Sequence, residues 1–204
     1  YGSQSIDYFE AALTANPNLV DAKLYLGIAY FVADNLPPFI KMFSSFLWFI
    51  PTGNSEKSLP YLRDVIESGD EFPDVARYIY STLMLLDDAT RPIAIGELQY
   101  LVEHYPGNSR FHLRLLSVLL LQGDYSNALK RADDYLQYEP TDDNLYLTLI
   151  WKLRAYLGLK QIAEADALLA SIPASAFENL PSWSRSWHML SIAQLHDLDR
   201  KSTR

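Results

Sequence analysis

The chain has 204 residues, enough for one well-buried domain, and with 49% hydrophobic and 13% aromatic residues it falls outside the generally disordered class. Its 25 acidic and 17 basic side chains give a net charge of -8, which lacks the basic footprint of a nucleic-acid binder. Cysteine is absent, which excludes disulfides, thiolate nucleophiles and cysteine metal sites, and no apolar run reaches the roughly 18 residues of a membrane span.

Residues 5–16, SIDYFEAALTAN, carry Ile6, Phe9 and Leu13 beside the small pair Ala11 and Ala12 and end at Asn16-Pro17, the pattern of the second helix of a hairpin. Residues 18–33 read as a first helix built around Leu26-Gly27-Ile28-Ala29-Tyr30. A mid-helix glycine costs ~1 kcal/mol against alanine, so Gly27 calls for a close neighbour. The partner helix is delayed by an insertion at 34–54, DNLPPFIKMFSSFLWFIPTGN. Phe39, Phe43, Phe46 and Trp48 lie there in a segment apolar nearly all round, between Pro37-Pro38 and Pro51-Thr52-Gly53. Such a segment predicts a hydrophobic helix that must be buried, as core or as interface.

A second-helix pattern resumes with Glu56, Leu59, Leu62, Val65 and Ile66 and stops at Ser68-Gly69-Asp70. From Asp74 the hairpins are regular: 75–86 with 92–105, 108–122 with 126–138, and 141–157 with 161–171. Gly123 and Gly158 stand at the hinges of the last two, and Asp124 is placed to cap the helix that follows it. After SIPASAFENLPSW comes a further first helix, 183–199, whose Trp187, Leu190, Ser191 and Ala193 echo Lys23, Leu26, Gly27 and Ala29.

The landmarks recur every 34 residues: Pro140 follows Pro106, Ala128 follows Ala94, Leu119 follows Leu85, and His112 stands between Tyr78 and Tyr146. With Leu26-Gly27-Ile28-Ala29-Tyr30 and Gly123-Asp124-Tyr125-Ser126-Asn127-Ala128, this period resembles the tetratricopeptide repeat superfamily over nearly the whole chain. The resemblance implies a single all-α domain over 1–204, an α-solenoid of helical hairpins in a right-handed superhelix. Its repeats would run about 18–72, 73–108, 109–142 and 143–173, with partial repeats at 5–17 and 182–204. More narrowly, Leu36-Pro37-Pro38-Phe39-Ile40-Lys41, Gly53 and Ser58-Leu59-Pro60-Tyr61-Leu62 look like the insertion of the inclusion-body-clearance family of these proteins and its bacterial relatives.

The superfamily resemblance implies a concave face of first helices that binds a peptide or protein. No HExxH, Gly-rich phosphate loop or G-x-S-x-G turn is visible, so no enzymatic role, metal or cofactor is expected. Residues a turn apart on successive first helices outline it: Leu24, Ile28 and Phe31; Ile79, Leu83 and Leu86; Arg110, Leu113, Ser117 and Leu120; Asn144, Leu147, Trp151 and Arg154. Arg110, Leu113, Asn144, Leu147, Trp151 and Arg154 are the candidate partner contacts, since guanidinium forks pair with carboxylates and groove aromatics act as hot spots. Leu24, Ile28, Leu113 and Ser117 stand where a chaperone-type carboxylate clamp needs Lys and Asn, which sets that function aside. The insert leaves two readings open, filling the apolar end of the groove or thickening the core. Two alternative functions also stand: a membrane-surface adaptor, for which Lys41 alone supplies basic charge, and a module that self-assembles as a homodimer through Phe39–Ile50 or the terminal helices. His104, His112, His188 and His196 are scattered and form no metal motif. Tyr1 in place of Met implies processing or trimming, so periplasmic, secreted and cytoplasmic locations are equally compatible.

Overall fold

A computed structural model of the chain describes residues 2–34, 55–85, 87–177 and 180–202. Most of the insertion expected at 34–54, with Phe39, Phe43, Phe46 and Trp48, lies outside the described residues, as does Leu86. The described chain is all-α, an α-solenoid of paired helices with no strand among the described residues. The chain falls into two compact units, Tyr1–Met84 and Leu85–Arg204. The division falls at the connection inside the hairpin expected over 73–108.

The first unit holds α1 (Gly2–Ala15), α2 (Ala22–Asp34), α3 (Ser55–Ser68) and α4 (Pro73–Met84). Helix α1 packs on α2 through buried Ile6, Leu26 and Tyr30, with Phe9, Leu13, Ala29 and Tyr61 around them. The Tyr30 hydroxyl donates to the Glu10 carboxylate, and burial together with that carboxylate holds the phenol well above its ordinary pKa. Where α2 meets α3, a Cβ on Gly27 would lie 3.0 Å from both Leu62 Cγ and the Ser58 carbonyl oxygen, so the mid-helix glycine has the close neighbour its cost demands. The buried Ser58 hydroxyl donates to the Gly27 carbonyl at 2.8 Å and ties the two helices at that point.

The α3–α4 turn is organised from a distance by Asp21. Its carboxylate accepts the backbone N–H groups of Asp70 (3.1 Å), Glu71 (3.0 Å) and Phe72 (3.3 Å), the donors left open where one helix ends and the next begins. Gly69 makes room for it: a Cβ there would come within 2.6 Å of Asp21 Oδ1.

The second unit holds α5 (Arg91–His104), α6 (Ser109–Gln122), α7 (Tyr125–Leu136), α8 (Asp142–Gly158), α9 (Ile162–Ser171), a 3-10 turn (Ala174–Phe177) and α10 (Ser182–Ser202). Each helix packs on the next, α5 to α6 through α9 to α10, with only the 3-10 turn interposed before α10. The first helices α6, α8 and α10 also pack side by side, which is the stacking that a 34-residue hairpin repeat predicts. Asn108 caps α6 by accepting the Arg110 N–H at 3.1 Å. Gly123 ends α6 in the left-handed region (φ 77), and Asp124 opens α7 by accepting from the Asn127 N–H and side-chain amide at 3.3 and 2.7 Å.

Two expectations shift. Gly158 is not the left-handed residue of its hinge; it is the last residue of α8, and the turn is made by Lys160 with φ 58. Gly158 is small because the Tyr125 ring occupies its flank, 2.5 Å from where a Cβ would stand. In α10 the buried stripe is Ser184, His188, Ser191 and Leu195, while Leu190 is 52% exposed. Ser191 is buried like Gly27, its counterpart in the echo, whereas Leu190 is exposed where Leu26 is buried. The buried stripe of α10 is thus mostly polar, and Met189 and Leu190 face outwards.

Candidate functional site

Where α6, α8 and α10 lie side by side, Leu116, Ala132, Ile150, Trp151 and Leu180 form a buried core, and Leu113, Leu120, Tyr146, Leu147 and Trp187 pack against it half-buried. The half-buried side chains come from all three first helices. They give this side of the unit a continuous apolar rim.

Trp151 sits within that core at 9% exposure, so it offers a partner little direct surface. Its ring stacks on Trp183 (6.1 Å between centroids, 23° between planes) and meets the edge of Trp187 at 6.2 Å. The Arg154 guanidinium lies over the Trp187 ring, 3.9 Å from its centroid, a contact worth about 2 kcal/mol when desolvated. Burial pulls the Arg154 pKa down, though arginine stays charged, and its Nη1 is buried with no hydrogen-bond partner among the described residues. Arg154 thus acts as a brace between α8 and α10.

The other candidates divide by exposure. Arg110 is exposed at the start of α6, and Leu113 and Leu147 are half-buried in the rim. Asn144 is half-buried and donates its amide to the Thr141 hydroxyl at 3.0 Å, at the mouth of α8. Ser117 is also half-buried, and its hydroxyl donates to the Arg114 carbonyl at 2.7 Å. In the first unit Leu24 is buried, whereas Ile28, Phe31, Ile79 and Leu83 are half-buried.

Trp183 is the residue that sequence reasoning left out. It is 49% exposed and stacked on Trp151, at the edge of the rim. It opens the first helix expected over 183–199, and its spacing of four from Trp187, which puts both rings on one helical face, was the available signal.

On the α5–α6–α7 side a cleft of about 360 Å³ is lined by Val102, Glu103, Pro106, His112, Arg131, Asp134, Gln137 and Tyr138. His112 is buried there, stacked on Tyr135 at 4.3 Å, with Nε2 2.8 Å from the Pro106 carbonyl oxygen. A carbonyl only accepts, so Nε2 carries the proton. Burial holds this imidazole below its ordinary pKa. No three His, Asp or Glu side chains converge as a metal site among the described residues, and no helix there is long and apolar enough to cross a membrane.

Two tetratricopeptide-repeat family profiles match the chain, over residues 85–143 and 119–185. No curated protein and no solved structure matches it. The matched span runs from the connection before α5 into the start of α10 and contains the α5–α9 stacking, so over residues 85–185 the profiles and the packing agree on tetratricopeptide-like repeats.

Proposed function

We propose that the chain is a non-enzymatic protein-interaction scaffold that binds an extended peptide segment across α6, α8 and α10. The observation that carries this reading is the rim itself: three successive first helices present half-buried Leu113, Leu147 and Trp187 in a row, bounded by exposed Arg110 and by Trp183. Apolar side chains of the partner rest on the leucines and on Trp183, and a carboxylate meets the Arg110 fork. Trp151 and Arg154 serve from beneath by fixing the rim's shape, and Asn144 offers its carbonyl oxygen beside it. The repeat family supports recognition of a protein or peptide in general; the acidic, apolar character of the segment rests on these side chains alone.

The finer resemblance to the inclusion-body-clearance family remains a proposal that rests on Ser58-Leu59-Pro60-Tyr61-Leu62 in α3, with its other residues outside the described chain. The test of the scaffold uses Arg110→Glu with Trp183→Ala, both exposed positions, against a peptide display library. The pair should abolish capture of acidic, apolar peptides while circular dichroism stays unchanged. Undiminished capture by the double variant would remove the rim from consideration.

A further inference from the structure

The cleft between α5, α6 and α7 holds more charge than the fold uses. Half-buried Arg131 and Asp134 line it from α7, exposed Glu103 from the end of α5, and Gln137 and Tyr138 from the stretch where α7 runs out. Among the described residues, Arg131, Asp134 and Glu103 enter no ion pair and make no side-chain hydrogen bond. Elsewhere the chain does pair charges three residues apart, Asp74 with Arg77, Asp88 with Arg91 and Asp197 with Arg200, each time with the acid first. In α7 the order is reversed, the weaker arrangement beside the helix dipole, and Arg131 and Asp134 stay unpaired.

The floor of the cleft contributes shape more than charge. His112 is stacked on Tyr135, and its N–H is taken by the Pro106 carbonyl oxygen. The volume of about 360 Å³ lies at the small end of the ~300–1,000 Å³ of small-molecule sites, which suits one compact ligand better than a run of peptide. Charge narrows the class further. A bare anion on Arg131 would meet the Asp134 and Glu103 carboxylates, and a bare cation on those carboxylates would meet Arg131. Only a ligand carrying both signs answers all three. Residues three apart on a helix have their Cβ atoms ~5–6 Å from each other, so the opposite charges of that ligand must also lie close together.

We propose that this cleft binds a free α-amino acid, with its carboxylate on the Arg131 guanidinium, its ammonium on Asp134 and Glu103, and its side chain against Val102, Pro106 and Tyr138. The bound molecule would bridge α5 to α7. The site shares no residue with the rim on α6, α8 and α10, so either can fail without the other.

The test is isothermal titration calorimetry of the full chain with each of the common L-α-amino acids. Those that bind are then compared with their N-acetyl derivatives, which lack the ammonium, and their amides, which lack the carboxylate. One or more free amino acids should bind saturably, and both derivatives should bind about tenfold or more weakly. Arg131→Gln should weaken the free amino acid to the level of its amide and leave the amide unaffected. Asp134→Asn with Glu103→Gln should weaken it to the level of the N-acetyl form and leave that form unaffected. Circular dichroism checks that each variant is folded, and the comparison of derivatives on the wild type stands without the variants. No saturable heat from any amino acid at millimolar concentration overturns the proposal. Amides that bind as tightly as the free acids overturn it in favour of a cation site, and N-acetyl derivatives that do so overturn it in favour of a carboxylate site.

Discussion

At the scale of single residues, His112 couples the turn after α5 to the acidity of the medium. Its imidazole is neutral in the fold, held below the ordinary 6.5 first by burial, with the Pro106 hydrogen bond and Asp134 opposing and Arg131 adding to the depression. The unfolded chain therefore takes up the proton at a higher pH than the folded chain does. The stability this group contributes is complete above about 6.5 and is lost as pH falls through the lower folded value. Buried His188 shifts in the same direction, again through burial. The urea midpoint should accordingly drop between about pH 7.5 and about pH 5, and His112→Phe should flatten part of that slope while His188 keeps the rest. Neither histidine was legible as a stabilising group from sequence, where a lone His on a helix carries no sign of the carbonyl or ring it will meet.

At the scale of helices, residues whose partners lie close in the chain could be read directly, and those answering to distant neighbours could not. Gly123 and Asp124 act through turn geometry and capping within a few residues, so their roles follow from local chemistry. Gly27 announced itself as a close-packing point because its cost inside a helix has few other reasons, although the identity of Ser58 and Leu62 as neighbours required coordinates. Gly158 misled because a glycine near a hinge has two explanations, and the one that holds depends on Tyr125, a full hairpin earlier in the chain. Gly158→Ala should drive a methyl group into that ring and lower stability by about 1–3 kcal/mol in chemical denaturation. Lys160→Gly, by contrast, should be neutral to mildly stabilising, because it relieves a left-handed backbone at φ 58. The candidate site shows the same division: the rim leucines followed from periodicity, whereas the burial of Trp151 depends on Trp183 and Trp187 of α10, more than thirty residues later in the chain.

At the scale of the molecule, the chain divides into two compact units, Tyr1–Met84 and Leu85–Arg204. The second unit has its own cores, one around Leu116, Ile150 and Trp151 and another around Leu153, Leu157, Ala165 and Leu195. Residues 85–204 alone should therefore unfold in a single cooperative transition with native helicity; a broad, non-cooperative transition would show that the fragment depends on the first unit. The tryptophans offer a way to watch one joint of this unit in isolation. Three of the chain's four, Trp151, Trp183 and Trp187, gather where α8 meets α10, two of them within 6.2 Å of the third and one beneath a guanidinium. In a Trp48→Phe chain every photon of indole emission would originate from that joint, so its opening could be timed by fluorescence without any added label.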